Sequence, residues 1–327
     1  MKPILLLLLL VNFSIAVHAQ FNTEKDPYLT QSLKGKSINK VNARTSGGSI
    51  TVTSVQSGEP RLEVYVRPSG NTNSRLSREE LRKKLEEDYD LKIAVTNQVL
   101  NVTAKPKGSF NWKRQLSISY RIYVPQNVST ELNTSGGSIS LSGLTGSQDF
   151  TTSGGSLHIN QLKGEVNGRT SGGSIHAENS SGTISLSTSG GSLKLNGLQG
   201  TVNATTSGGS INGSDIKGEL ITSTSGGSVN LSGLSCSLET STSGGSMNIS
   251  IKELGKYVSV SSAGGNINVE IPGDKGLNLK VDGDRLKVGP LKNFNGQNDQ
   301  RSIHGTLNGG GIPVKVHGNS GVTVVFL

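Results

Sequence analysis

Two histidines occupy the same place in consecutive repeats of this chain, and their type and spacing could do metal chemistry. His158 and His176 are 18 residues apart, and each comes two residues after a Ser-Gly-Gly-Ser segment. On neighbouring strands their imidazoles would stack outward, with Cα atoms about 4.8 Å apart. A structural metal site needs four ligands, and no Cys, Asp or Glu recurs beside the pair except Glu178. We therefore predict no metal site and interpret both rings as outward polar residues.

A segment rich in cations and aromatic residues, Lys105–Arg114, is the second candidate site. Its candidate ligand-binding residues are Lys105, Lys107, Trp112, Lys113 and Arg114. Cations and aromatic rings on a loop with Pro and Gly suit an anionic surface, such as lipid headgroups or acidic glycan. They would also suit single-stranded nucleic acid, but the export signal described below argues against that partner. The alternative is an exposed loop with Trp112 packed against its own domain.

The sequence shows no pattern typical of an enzyme. Polysaccharide lyases and hydrolases built on solenoids need clustered carboxylates or basic residues on one face. Asp149, Glu178 and Asp215 instead occupy different positions of the repeat. Ser hydroxyls without a positioned base are not nucleophiles, and no G-x-S-x-G, H-E-x-x-H or phosphate-loop motif occurs. We predict no catalytic residues, no enzyme activity and no cofactor.

Most of the chain follows an 18-residue repeat. Ser-Gly-Gly cores begin, without insertion or deletion, at Ser135, Ser153, Ser171, Ser189, Ser207, Ser225 and Ser243. Counting that serine as position zero, +4 is aliphatic or Met in every copy, +6 is mostly apolar and +5 is polar. This alternation predicts a short strand with one buried face. Positions +9 and +13 are mostly apolar and +11 is mostly Gly, which predicts further short strands separated by tight turns.

A fixed period of this length indicates a solenoid, in which each unit closes one circuit and the next stacks about 4.8 Å above it. We predict an all-β fold, a single-stranded parallel β-helix with 18-residue coils, in its right-handed form. Ile139, Leu157, Ile175 and Leu193 should form one inward column. A left-handed helix of hexapeptides would need an aliphatic residue at +3, which is always Ser. A disordered Gly/Ser linker would not keep +4 aliphatic in every copy.

Small residues beside the strands have two interpretations. The paired glycines at +1 and +2 are expected to permit backbone angles that a Cβ would forbid. The Ser at +3 and the Thr before each Ser-Gly-Gly could form hydroxyl ladders on the rod surface for an extended glycan or a neighbouring protein. Alternatively they pack beside the glycines and hydrogen-bond locally, which we favour.

The chain begins with a segment typical of a secretory signal peptide. Residues 1–19 combine Lys2, an apolar run at 4–11 and a small-residue cleavage site ending at Ala19. That run is too short to span a bilayer, and no later segment is long and apolar enough to do so. We predict an exported protein without a transmembrane segment, located in the periplasm, at the outer-membrane surface or outside the cell.

The single cysteine, Cys236, takes the place of the +11 glycine of its repeat. A lone cysteine in an oxidising compartment makes no internal disulfide. We interpret it as a small residue tolerated at a tight turn, and the alternative is a reactive thiol.

The mature chain divides into a cap and a solenoid. Residues 20–133 are predicted to hold a first coil and an N-terminal cap, because an open solenoid end would expose unpaired backbone and apolar rungs. Residues 134–327 are predicted to hold the repeats. Within them, residues 277–306 are expected to leave the stack as a loop or hairpin, and residues 308–326 to form the closing coil and terminal strand. About ten coils result.

The cap is predicted to contain a short helix and several strands. Ser77 and Glu80 match a capping box at the start of a helix of about Arg78 to Asp88, with Leu81 and Leu85 on its buried stripe. A hairpin around residues 97–98 and an alternating strand at residues 116–124 should follow.

The residues described so far resemble the DUF4097 family of adhesin-like proteins. The resemblance rests on the signal segment, the strand LSISYRIYVP at residues 116–125, the serial Thr-Ser-Gly-Gly-Ser-Ile units and the closing Asn308–Gly311 segment. It covers most of the mature chain and implies a bacterial envelope or secreted β-helix. It transfers no catalytic residue. Similar repeats in envelope-stress and antibiotic-response membrane proteins imply a regulatory alternative, although this chain lacks their transmembrane segments.

We therefore expect a non-enzymatic exported β-solenoid, an adhesin-like or envelope scaffold module. It would bind glycan or another envelope protein through its polar face or through the basic loop. A periplasmic sensor or regulatory partner in an envelope stress response is the first alternative, and a polysaccharide-active enzyme is the second. The sequence predicts neither the ligand nor the oligomeric state.

Overall fold

The repeat folds as a stack of parallel strands. The computed structural model describes residues 26–56, 58–69, 76–108 and 116–327, so the predicted signal peptide at residues 1–19 lies outside the described residues. Each regular coil contributes a short strand at positions +4 to +7 and a longer strand ending at position +17. Leu157 pairs with Ile175 and Lys163 with Ser181 in parallel ladders, so successive coils are in register at a spacing of 18 residues. The predicted β-solenoid is confirmed, and its hand stays a prediction.

The N-terminal region, up to Val124, contains the one helix of the described residues and seven strands. They are β1 (Leu29–Ser32), β2 (Lys40–Thr45), β3 (Ile50–Ser54), β4 (Arg61–Pro68), α1 (Arg78–Asp88), β5 (Tyr89–Thr96), β6 (Val99–Pro106) and β7 (Leu116–Val124).

The regular repeats alternate long and short strands. They are β8 (Ser129–Thr134), β9 (Ile139–Ser142), β10 (Thr145–Thr152), β11 (Leu157–Asn160), β12 (Lys163–Thr170), β13 (Ile175–Glu178), β14 (Ser181–Thr188), β15 (Leu193–Asn196), β16 (Gln199–Thr206), β17 (Ile211–Ser214) and β18 (Lys217–Thr224). We call the ladder of short strands the short-strand sheet and the ladder of long strands the long-strand sheet.

The C-terminal part has longer and less regular strands. They are β19 (Val229–Thr242), β20 (Met247–Ser262), β21 (Ile267–Ile271), β22 (Leu277–Val288), β23 (Phe294–Asn298), β24 (Ser302–Leu307) and β25 (Ile312–Phe326). Four of these strands run through both sheets: β19, β20, β22 and β25. One part of each strand pairs in the short-strand sheet, and the other part pairs in the long-strand sheet.

Aliphatic columns fill the space between the two sheets. Ile139, Leu157, Ile175 and Leu193 are successive register partners, and all four are fully buried. The predicted inward column is therefore confirmed. Each fully buried Leu or Ile stabilises the fold by about 1.5–3 kcal/mol, and the column repeats that contribution on every rung.

The turn between the short and long strands uses left-handed backbone at position +8. The φ angles are 71° at Gly143, 55° at Gln161, 51° at Asn179, 61° at Gly197 and 54° at Asp215. Gly, Asn and Asp adopt this conformation more readily than most residues. The repeat therefore uses left-handed backbone at position +8 as well as at the +11 glycines.

The glycine at +2 is required for a different reason from the one predicted. Gly155 has no left-handed φ, but a Cβ at this position would overlap the carbonyl of Gly137 in the preceding coil. The same overlap recurs at Gly173 and Gly191. The Ser-Gly-Gly corner is thus a place where backbones of successive coils approach too closely for any side chain.

The N-terminal end is closed by strands that are out of sequence order. β6 pairs in parallel with β2, and β7 with β3, so the coil made by β6 and β7 lies outside the first coil of the chain. β4 and β5 then pair antiparallel with β7 and β6. Helix α1 connects β4 to β5 and buries Leu81 and Leu85, which confirms the predicted helix and its capping box. The predicted hairpin is also confirmed, since Asn97 and Gln98 form its turn with φ angles of 51° and 62°.

The C-terminal end corrects the prediction that residues 277–306 leave the stack. β22 is a parallel rung, and β25 lies between it and the earlier strands β20 and β21. Only β23 and β24 form an antiparallel hairpin at the outer edge. The last strand in sequence is therefore an internal strand in space. No helix in the described part of the chain has the length and apolar character needed to cross a membrane.

Candidate ligand-binding groove

The outer face of the short-strand sheet carries two columns of polar side chains. Alternation along each short strand turns +4 and +6 inward, so +5 and +7 point away from the core. The +5 column of the repeats contains Ser140, His158, His176, Lys194, Asn212, Asn230, Asn248 and Asn268. The +7 column contains Ser142, Asn160, Glu178, Asn196, Ser214, Ser232, Ser250 and Glu270.

These two columns line open grooves on the surface of the rod. One groove has a volume of about 780 Å³ and runs over the rungs from His176 to Glu270. A smaller groove of about 300 Å³ runs from Thr51 and Thr53 to His176 and Glu178. Both are lined by His176, so polar side chains continue from one groove into the other along the rod.

Four asparagines of the +5 column form a hydrogen-bonded ladder. The amide nitrogen of Asn230 donates to Oδ1 of Asn212 over 3.1 Å, Asn248 donates to Asn230 over 3.0 Å, and Asn268 donates to Asn248 over 2.9 Å. All four side chains are exposed. An Asn amide has two N–H donors and an oxygen with two lone pairs. Each amide therefore keeps hydrogen-bonding capacity for a ligand, and its neighbours fix its orientation.

The predicted histidine pair lies midway along this face. His158 and His176 are register partners, and their ring centroids are 5.2 Å apart at an angle of 60°. Burial lowers the pKa of His158, and the neighbouring His176 lowers it further. Glu178 in the +7 column lies 4.0 Å from Nζ of Lys194. In the described residues, no three His, Cys, Asp or Glu side chains are placed to hold a metal ion.

An aromatic and cationic cluster stands at the N-terminal end of the same face. Arg121 of β7 is in register with Thr51, and so continues the +5 column. Its guanidinium carbon is 4.5 Å from the centre of the Tyr65 ring, and its Nη1 donates to the Tyr65 hydroxyl over 3.1 Å. Arg61 lies 3.8 Å from the centre of the Tyr123 ring and donates to Glu63 over 2.7 Å. Stacking thus holds both guanidinium groups in fixed orientations.

The described residues of the predicted basic loop, Lys105 and Lys107, do not line this groove. Lys105 and Lys107 are exposed at the end of β6, where Lys105 is opposite Asp90. Nζ of Lys107 donates to the carbonyl of Glu86 in the last turn of α1, over 2.6 Å. Lys107 therefore provides a hydrogen-bond donor for one of the last carbonyl groups of α1. The other predicted residues, Trp112, Lys113 and Arg114, lie outside the described residues.

The threonines before each Ser-Gly-Gly are internal, which decides between the two interpretations of the hydroxyl ladders. Oγ1 of Thr152 donates to the carbonyl of Gly137 over 2.8 Å and accepts from the Gly155 amide over 3.3 Å. The serines at +3 are half-buried, and the amide of Ser156 donates to Oγ of Ser138 in the preceding coil over 3.2 Å. Local hydrogen bonding therefore explains both ladders.

Cys236 is buried, and burial raises its pKa to about 12. Since the thiolate is the nucleophile, this environment disfavours the reactive-thiol alternative.

The repeat pattern predicts that the histidines point outward, as the structure shows, but the asparagine ladder was not among the predicted sites. The signal was present, because Asn recurs at +5 in three consecutive repeats and again at Asn268. The N-terminal member of the +5 column, Arg121, could not be found in this way. Arg121 joins the column through pairing of β7 with β3, two strands that are far apart in sequence.

None of the curated proteins compared matches the chain. Two solved structures are similar, a proposed cell adhesion protein from Clostridium sporogenes and a proposed adhesin from Bacteroides fragilis. The first is 12% identical, with 91% of this chain and 97% of that chain covered and a TM-score of 0.20. The second is 17% identical, with coverage of 91% and 95% and a TM-score of 0.32. Both scores are too low to infer anything about this chain from those structures.

One protein family matches most of the chain. The family model described as Toastrack DUF4097 matches residues 38–325. This range includes strands β2 to β24 and nearly all of β25, and it confirms the resemblance seen in the sequence. The chain belongs to the Toastrack DUF4097 family.

Proposed function

We propose that the protein is a non-enzymatic, adhesin-like β-solenoid that binds an extended glycan along the outer face of its short-strand sheet. The observation that carries this proposal is the asparagine ladder from Asn212 to Asn268, set in an open groove of about 780 Å³. Sugars present hydroxyls that donate and accept hydrogen bonds. Amides and hydroxyls of the groove offer the matching donors and acceptors.

The rigidity of the face supports a binding role. Each rung is fixed by parallel ladders on both sides, and the Asn amides orient one another, so little side-chain entropy is lost when a ligand binds. The repeat spacing also places equivalent groups at regular intervals, which suits a polymer with repeating units. Export to the cell envelope, indicated by residues 1–19, would give such a module access to polysaccharide. The basic loop Lys105–Arg114 stays a second predicted contact.

A glycan panel with two matched variants tests the proposal. Asn230→Val removes one amide from the middle of the ladder, and Asn203→Val makes the same change at an exposed position of β16 on the long-strand sheet. We expect the mature protein to bind at least one extended glycan, and Asn230→Val to weaken that binding by about tenfold, the equivalent of about 1.4 kcal/mol. Asn203→Val should leave it unchanged. A folded protein that binds no glycan, or equal effects of the two variants, would contradict the proposal.

A further inference from the structure

The +5 column changes its chemistry along the rod. From the N-terminal end it reads Arg121, Thr51, Ser140, His158, His176 and Lys194, followed by the four asparagines from Asn212 to Asn268. The first half therefore contains two permanent cations and two titratable rings, and none of its members is a carboxylate. The second half is uncharged.

Arg121 is oriented by contacts that leave most of its donors available. It stacks on Tyr65 and donates one hydrogen bond to the Tyr65 hydroxyl. Glu63 is its cross-strand neighbour, but that carboxylate accepts from Arg61 over 2.7 Å and from the Tyr65 hydroxyl over 2.9 Å. No carboxylate of the described residues lies within ion-pair distance of Arg121. A guanidinium held in this way is suited to bind a carboxylate through two parallel hydrogen bonds.

The other end of the cationic half is only loosely neutralised. Lys194 is exposed, and its Nζ lies 4.0 Å from the nearer oxygen of Glu178. An exposed pair at this distance contributes little, so an incoming anion could replace Glu178 as the partner of Lys194. Glu178 also accepts a long hydrogen bond of 3.5 Å from Asn196.

We propose that the ligand of this groove is an acidic polysaccharide whose carboxylates lie over Arg121, His158, His176 and Lys194, with its hydroxyls over the asparagine ladder. The inference rests on the glycan-binding function proposed above. Arg121 and Lys194 are five strand spacings apart, which is about 24 Å. The ligand must therefore be several sugars long to contact both ends of the cationic half.

The histidine pair should make this binding depend on pH. Facing the two rings are Ser140 and Lys194 in the same column, and Asn160, Glu178 and Asn196 in the adjacent one. Burial and the neighbouring His176 oppose protonation of His158 and lower its pKa. A bound carboxylate would stabilise the protonated ring of His158, so acidic polysaccharide should bind more tightly as the pH falls from 7.5 to 5.5. By the same linkage, the ligand should raise the pKa of His158.

Paired polysaccharides with the same backbone test the role of charge. The probes are polygalacturonate with its methyl ester, and carboxymethyl cellulose with hydroxyethyl cellulose, measured by calorimetry on the mature protein at pH 5.5 and 7.5. We expect an acidic member to bind about tenfold tighter than its neutral partner, and about fivefold tighter at the lower pH. The double variant His158→Asn/His176→Asn should remove the pH dependence. Lys194→Gln should weaken binding severalfold, whereas Lys163→Gln, an equal charge change outside the groove, should not.

The outcomes separate this inference from the proposed function. Equal binding of acidic and neutral members, without pH dependence, would overturn the acidic ligand and leave the glycan-binding function standing. Absence of binding to these probes and to the glycan panel would contradict both. Acidic binding that persists in the histidine and Lys194 variants would place the site elsewhere, and binding only to vesicles of anionic phosphatidylglycerol would indicate a membrane surface instead. Either of these results overturns the inference.

Discussion

At the scale of single residues, the +2 glycine shows why this repeat tolerates so little change at its corner. A Cβ at Gly155 would overlap the backbone of the coil below, whereas a Cβ at Gly154 would meet Ser135 only at 3.7 Å, an ordinary contact. We expect Gly155→Ala to destabilise the protein by about 1–3 kcal/mol or more, because the backbone must move apart. Thermal and urea unfolding followed by circular dichroism would measure the change.

Gly154→Ala is the matched control for that variant. It lies one residue away in the same corner and adds the same methyl group. We expect it to be neutral or stabilising by up to about 1 kcal/mol, because alanine has fewer unfolded conformations to lose. Equal destabilisation by both variants would show that backbone angles, not the close approach of coils, explain the glycine pair.

Cys236 gives a second prediction at this scale. Its side chain is buried among the rungs, and the raised pKa of about 12 leaves almost no thiolate near neutral pH. We expect a thiol reagent such as dithionitrobenzoate to react with Cys236 at pH 8 only after unfolding in urea. Rapid labelling of the native protein would show that this coil opens or that the thiol is accessible.

The inward threonines show what a repeat sequence can and cannot reveal about single side chains. Because side chains alternate between the two faces of a strand, positions +13, +15 and +17 of the long strand lie on the same face. The Thr at +17 could therefore have been predicted to point inward. Its two hydrogen bonds could not, because they join Thr152 to Gly137 of the preceding coil and to Gly155 of its own corner. The left-handed turn at +8 was also visible as recurring Gly, Asn and Asp, but Gln161 hid the pattern.

At the scale of elements, α1 was predictable because its signals are local. The capping box of Ser77 and Glu80 and the spacing of Leu81 and Leu85 all lie within nine residues, and the structure contains each of these features. The order of the rungs was not predictable in the same way. β25 pairs with β20 and β22 through contacts between segments far apart in sequence. The alternation of apolar and polar residues in β22 does not indicate which strand pairs with it.

Helix α1 should cover the N-terminal end of the hydrophobic core. Leu81 is fully buried, and we expect Leu81→Ala to destabilise the protein by about 2–5 kcal/mol through lost burial and the cavity left behind. Ser77→Ala should be milder, at about 1 kcal/mol, because it removes only the cap. Urea unfolding would measure both. Lys83→Ala on the exposed face of α1 is the control and should change stability by less than about 0.5 kcal/mol; a Leu81 variant as stable as this control would mean that α1 is not part of the core.

At the scale of the whole molecule, both ends of the rod are closed by the same device. At each end the outermost parallel rung belongs to a segment that is out of sequence order, β6 with β7 at one end and β22 at the other. Antiparallel strands then pair with that rung, along β6 and β7 at one end and along Leu277–Asp282 of β22 at the other. In the described residues, this pairing leaves less parallel edge at each end for another copy to extend. The polar side faces therefore remain as the surfaces for a partner.

Truncation of β25 tests this closure, since the last strand of the chain lies inside the stack. Its four inward valines, Val314, Val316, Val322 and Val324, are fully buried, and burial of each contributes about 1.5–3 kcal/mol. Deleting residues 312–327 should therefore expose β20 and β21 on one side and detach β22 on the other.

Because solenoid coils contact only their neighbours, the central strands β10 to β16 should stay folded. Hydrogen exchange measured by mass spectrometry should show lost protection from β20 to β24 and retained protection from β10 to β16. Replacing the outer hairpin, residues 294–307, by a short Gly-Ser loop is the control and should leave β20 and β21 protected. Retained protection of β22 after the truncation would mean that β25 is not what holds it to the rod.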